Sequence, residues 1–112
     1  MQFTKKNNIY QISRITGSQD NILGVYFSEN NSNDVEVIEW DLSFAKDKKR
    51  QTSADLVLDQ VLSGLNQANE FLATSYKLSK IYFVPAESAD GFIYRSLVIQ
   101  LIKHYHEGKE FK

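Results

Sequence analysis

The sequence contains no cysteine and only one proline among its 112 residues. The absence of cysteine excludes disulfide bonds, a thiolate nucleophile and a cysteine-based metal site. A reducing cytoplasm is the simplest setting for such a chain. The first eight residues are polar and lack the apolar core of a secretory signal, and no stretch reaches the roughly 18 consecutive apolar residues of a membrane span. We therefore expect a cytoplasmic protein that does not cross a membrane.

The net charge is also small, at −1, so no strong overall field favours nucleic acid or a membrane surface. The charges are nevertheless segregated. Residues 15–45 contain six acids and residues 51–76 contain three more, and neither stretch has a lysine or arginine. The one internal basic cluster, Lys-Asp-Lys-Lys-Arg at residues 46–50, has no interleaved aromatic residues for base stacking. This pattern disfavours nucleic-acid binding and indicates acidic surfaces.

Hydrophobic periodicity predicts a small α+β protein. Strands are predicted at Ile9–Ile15, 22–28, 35–42 and 78–84, and helices at 53–75 and 88–108. The expected fold is a single α+β domain over residues 1–112 with the order βββαβα. Its mostly antiparallel four-stranded sheet begins with a three-strand meander, and both helices pack on one face of the sheet. Strand 78–84 is apolar on both sides, which predicts an interior position.

Motifs for catalysis are missing. His104 and His106 lie two positions apart on the last helix, about 200° around its axis, so they cannot share a metal ion. The five glycines are too dispersed for a phosphate loop or a dinucleotide fingerprint, and no serine lies in a G-x-S-x-G elbow. We therefore predict no catalytic residue, no metal site and no cofactor.

Carboxylates leave one enzymatic alternative open. A two-metal nuclease needs several acids that converge within a few ångström. The strand Ile9–Ile15 contains no acid, and neither residues 36–38 (Glu-Val-Ile) nor residues 39–41 (Glu-Trp-Asp) end in the lysine of an E-x-K motif. A metal-dependent nuclease or other phosphodiester enzyme would have to use the acids Asp20, Glu36, Glu39 and Asp41.

The preferred interpretation assigns those same acids to a protein partner. An acidic strand and its loops complement a basic surface, such as the one that a nuclease presents around its active site. The sequence therefore predicts a small protein-binding module without catalytic activity, for example an inhibitor or immunity protein against a nuclease toxin. Its predicted partner-binding residues are Asp20, Glu36, Glu39 and Asp41.

The last helix carries a second apolar row opposite its core stripe. This row is Phe92, Arg95, Ile99, Ile102 and His106, at the spacing of a coiled-coil seam. Either it is buried inside its own domain, or it meets a partner. Because two helices on one face of a sheet provide no third layer, we predict that the row lies uncovered and forms the interface of a homodimer. A subunit that only oligomerises is a further alternative.

Overall fold

The computed structural model describes residues 1–15, 20–29, 34–40, 52–85 and 91–112. Within these ranges, five strands and two helices follow one another in the order ββββαβα. They are β1 (Gln2–Lys6), β2 (Ile9–Ile15), β3 (Asp20–Phe27), β4 (Glu36–Glu39), α1 (Ala54–Leu72), β5 (Leu78–Phe83) and α2 (Ile93–His106). The α+β class is therefore confirmed, whereas the order βββαβα is wrong by one strand.

The additional strand β1 forms a hairpin with β2. Lys6 and Ile9 are register partners, and the turn between them is formed by Asn7 and Asn8 with φ angles of 53° and 66°. Asparagine tolerates positive φ better than most residues, and two such residues in succession suit a two-residue hairpin turn. The Asn-Asn pair is the sequence signal that could have revealed this hairpin. The prediction missed β1 because Phe3 is its only apolar residue.

The sheet has the strand order β1-β2-β3-β5-β4. The pairs β1–β2, β2–β3 and β3–β5 are antiparallel, and β4–β5 is parallel. The predicted meander is therefore wrong at its third strand, because β5 lies between β3 and β4. Helix α1 provides the crossover that a parallel β4–β5 pair requires. The interior position predicted for the segment at 78–84 is confirmed.

Both helices pack on one face of the mixed five-stranded sheet. Leu23 and Phe83 are register partners on that face and are fully buried. They belong to a single apolar core with residues of both helices, among them Val61 and Leu97. On the other face Trp40 stacks on Tyr82, with ring centroids 5.3 Å apart, and covers Gly24 so closely that a Cβ there would lie 2.7 Å from the indole ring.

The helix ends differ from their predicted positions. Ser53 caps α1 by accepting a hydrogen bond from the Leu56 amide, and α1 ends at Leu72 because Ala73 adopts a left-handed conformation. Helix α2 begins only at Ile93, and Ser88, where the sequence predicted its start, lies outside the described residues. At the other end α2 stops at His106, and Gly108, the predicted last residue, adopts a left-handed conformation with a φ of +69°, as is common just after a helix.

Candidate functional site

The second apolar row of α2 packs beside α1, within the same layer. Ile102 is fully buried between the helices, so the prediction that this side chain lies uncovered is wrong. Arg95 donates from Nε and Nη2 to Oε1 of Gln67 on α1, at 3.1 and 2.6 Å. His106 lies further along, with Nδ1 2.9 Å from the hydroxyl of Tyr76. The row faces α1 because α1 is its neighbour in the helix layer, so no third layer is needed to cover Ile102.

Two phenylalanines remain exposed where the helices meet the solvent. Phe92 is 69% exposed at the start of α2, and Phe71 is 76% exposed near the end of α1. Ile99 lies between them on α2 and is half-buried. A shallow concavity of about 230 Å³ separates the two helices here, and its lining includes Gln67, Phe92 and Ile99. The helix-pair face is the surface formed by Gln67, Phe71, Phe92, Arg95, Ile99 and Lys103.

A cation lies over each exposed ring of the helix-pair face. The Arg95 guanidinium carbon is 5.8 Å from the centroid of the Phe92 ring, and Lys103 Nζ is 5.4 Å from that of Phe71. Cation–π contacts of this length hold side chains in place without neutralising the charge. The helix-pair face therefore offers apolar rings and positive charge together.

Phe71 was not identified from the sequence. The core stripe of α1 contains Val57, Val61, Leu65, Ala68 and Leu72, and Phe71 falls beside this stripe. A large aromatic residue next to a complete core stripe is the pattern that could have revealed it. The structure thus keeps Phe92 and Ile99 of the predicted interface on the surface and adds Phe71 from the other helix.

The predicted acidic site lies at the β4 edge of the sheet. Glu36 and Glu39 are exposed on β4, which is the outermost strand of the sheet, and Asp34 is exposed just before it. Asp20 is the first residue of β3, which is separated from β4 by β5. Asp41 lies outside the described residues. Glu36 and Glu39 are three positions apart, so their side chains leave the strand on opposite faces.

This arrangement bears on the nuclease alternative. Carboxylates on opposite faces of one strand cannot converge on a shared metal pair, and β3 and β4 are two strand spacings apart, roughly 10 Å. Within the described ranges no group of three or more histidine, aspartate or glutamate side chains is placed to hold a metal ion. The two histidines have different neighbours, because His104 stacks on Phe3 and donates from Nε2 to the Glu110 carbonyl at 2.8 Å, whereas His106 contacts Tyr76.

A second concavity, of about 450 Å³, lies between α1 and the chain that leads into β5. Its apolar wall contains Leu62 and Leu65, and its rim is shaped by Asn69. Asn69 Oδ1 accepts from the Thr74 hydroxyl at 2.8 Å and the Tyr76 amide at 3.0 Å, and Nδ2 donates to the Tyr76 carbonyl at 2.9 Å. These bonds fix the path of the chain from α1 into β5.

Comparison of the chain with protein-family models, with curated proteins and with solved structures finds no match. Neither of the helices described above is long and apolar enough to cross a membrane.

Proposed function

We propose that this protein is a protein-binding module without catalytic activity, and that it binds through the helix-pair face. The observation that carries the proposal is the exposure of Phe71 and Phe92 on one surface, at 76% and 69%. Burying a phenylalanine side chain contributes roughly 1.5–3 kcal/mol, so two exposed rings forgo a substantial stabilisation unless a partner covers them. Aromatic and arginine side chains are also those that most often dominate binding energy at interfaces.

The acidic strand β4 supports a second surface for the same class of function. Glu36 and Glu39 are exposed on this edge strand, and the exposed Asp34 adds a third acid just before it. A partner with a basic surface would be steered towards this edge by charge. An inhibitor or immunity protein that covers a nuclease toxin in the cytoplasm is the concrete form of this second proposal.

Paired variants test which surface binds. The wild type and the Phe71→Ser/Phe92→Ser variant are each immobilised as bait in a cell lysate. Every protein that either bait retains is purified and titrated by calorimetry against both forms. Because both rings are exposed, the double substitution should preserve the fold while raising the Kd at least about tenfold. A partner that binds both forms with equal affinity would show that the helix-pair face is not its binding surface.

The acidic edge is tested on the same partner with Glu36→Lys/Glu39→Lys. The matched control is Glu110→Lys, which reverses an exposed acid elsewhere. At low salt the double reversal should slow association roughly tenfold if β4 steers a basic partner, and the control should not. If the association rate is the same for the double reversal and the control, β4 is excluded as the surface that steers the partner.

A further inference from the structure

Charge is divided between the two helices of the helix-pair face. Helix α1 carries three acids and no base, and Asp55, Asp59 and Glu70 are all exposed. Helix α2 carries no acid and has Arg95 and Lys103. Among the described residues, Asp59, Glu70, Arg95 and Lys103 form no ion pair. The groove between the two helices is therefore flanked by an acidic helix and a basic helix, with the exposed rings of Phe71 and Phe92 along it.

The helices run parallel, which fixes the height of each charge along the groove. Gln60 of α1 contacts Gly91 and Tyr94 at the start of α2, Gly64 lies against Arg95, and Phe71 meets Lys103. Because these contacts advance along both helices together, Glu70 lies at nearly the same height as Lys103. Asp59 lies about one helical turn below Arg95, a distance that an arginine side chain can bridge.

We propose that the occupant of the helix-pair face is a second copy of this chain, related by a two-fold axis that runs along the groove. This inference rests on the proposed function, since it names the partner of the same surface. Such an axis places α1 of one copy over α2 of the other, with the helices parallel. Each Glu70 then faces Lys103 of the second copy, and each Asp59 lies within reach of its Arg95.

The charge pattern favours this axis over the alternative two-fold axis, which runs across the helices instead of along them. A two-fold axis across the helices would place α1 on α1 and α2 on α2, which brings acids against acids and bases against bases. Like charges brought together at an interface oppose association. The axis along the groove uses each surface twice, as a closed two-fold dimer requires. It also brings Phe71 and Phe92 of both copies into one interface, at two different heights along the axis.

Charge reversal of a single pair tests the arrangement. Sedimentation velocity up to about 200 µM in about 50 mM salt should show a wild-type dimer whose Kd rises with salt. Glu70→Lys and Lys103→Glu should each raise the Kd roughly tenfold, because each places two like-charge contacts in the homodimer. Glu110→Lys is the control and should leave the Kd unchanged.

An equimolar mixture of the two single variants gives the decisive result. In the mixed dimer one contact is the native Glu70–Lys103 pair and the other is the same pair with its charges reversed, so both are attractive. The mixture should therefore dimerise with a Kd near that of the wild type, although each variant alone is about tenfold weaker. A mixture no stronger than its components would overturn the proposed axis.

Other outcomes separate this inference from the proposed function. A wild type that is monomeric at about 200 µM would overturn the second copy as occupant, while a different protein partner lost in Phe71→Ser/Phe92→Ser would still support the helix-pair face. A wild-type dimer that persists unchanged in Phe71→Ser/Phe92→Ser would overturn both, because association would then use another surface.

Discussion

Gly64 lies against the backbone of Arg95, and this contact sets the distance between the two helices. A Cβ at position 64 would overlap the Arg95 carbonyl oxygen, at 2.6 Å, and the Val98 side chain. The carbonyl belongs to helix α2, so it cannot move without the whole turn. The glycine thus permits a close approach of the two helices, and Arg95 also donates two hydrogen bonds to Gln67 of α1.

We expect Gly64→Ala to destabilise the protein by about 1–2 kcal/mol. Overpacking costs about 1–3 kcal/mol, and the better helix propensity of alanine offsets about 0.5–1 kcal/mol of this. Urea unfolding monitored by circular dichroism measures the change, with Ser63→Ala as the exposed neighbour control. A Gly64→Ala variant as stable as that control would show that the helices separate easily.

Gln60 acts as a capping residue for a helix to which it does not belong. Phe92 occupies the N-cap of α2 and provides no side-chain hydrogen bond. Gln60 on α1 is buried and accepts instead from the Tyr94 amide at 3.0 Å, while its Nε2 donates to the Gly91 carbonyl at 3.3 Å. One side chain thereby satisfies two backbone groups at the start of α2.

Gln60→Leu should cost about 1–3 kcal/mol, because it removes the hydrogen bonds that the Gln60 side chain makes to the buried Tyr94 amide and to the Gly91 carbonyl. The loss is local, so hydrogen exchange of the Tyr94 amide should accelerate more than that of amides in the middle of α1. Asn66→Leu, which alters an exposed residue of the same helix, is the control. Equal exchange rates at Tyr94 in the wild type and Gln60→Leu would refute the capping role.

The sequence predicted the strands and helices that have a clear hydrophobic periodicity. It did not predict the features that depend on contacts between residues far apart in the chain. The interior strand β5 was identified because Ile81, Tyr82 and Phe83 are apolar on both sides. The insertion of β5 between β3 and β4 was not, since strand order is decided by which faces the crossover helix must bury. For the site, Phe92 and Ile99 followed from helical spacing. The burial of Ile102 did not, because it requires knowing that α1 lies beside it.

Tyr105 makes the stability sensitive to alkaline pH. Its ring packs against Phe27 at 4.3 Å and Tyr10 at 5.0 Å. Burial, followed by the neighbouring phenols of Tyr10 and Tyr76, raises the pKa of Tyr105 above its ordinary value of 10.0. The fold thus favours the neutral phenol. The associated stability is fully present below pH 10 and is lost as the pH rises through the folded-state pKa.

Tyr105→Phe should therefore lose less stability than the wild type above about pH 10. The measurement is the midpoint of urea unfolding at neutral and alkaline pH, compared with Tyr26→Phe on the other face of the sheet. Parallel pH profiles for the wild type and Tyr105→Phe would rule out this role.

The C-terminal residues close the free edge of β1. The Lys5 amide donates to the Lys112 carbonyl at 3.1 Å, and the Lys112 amide donates to the Phe3 carbonyl at 3.0 Å. Phe111 anchors this contact, with its ring 4.9 Å from Tyr10 and 4.8 Å from His104. An unpaired edge strand is a template for association with other strands, so this closure protects the sheet.

Phe111→Ala should lower stability by about 2 kcal/mol, because it removes several aromatic contacts of about 0.5–1.5 kcal/mol each from a half-buried site. Since the tail then loses its anchor, exchange of the Lys5 amide should accelerate strongly. Exchange of the β5 amides should accelerate only as far as the global stability of the protein falls. Glu110→Ala, the adjacent exposed change, is the control. Unchanged protection of Lys5 in Phe111→Ala would show that the backbone hydrogen bonds alone hold the tail on β1.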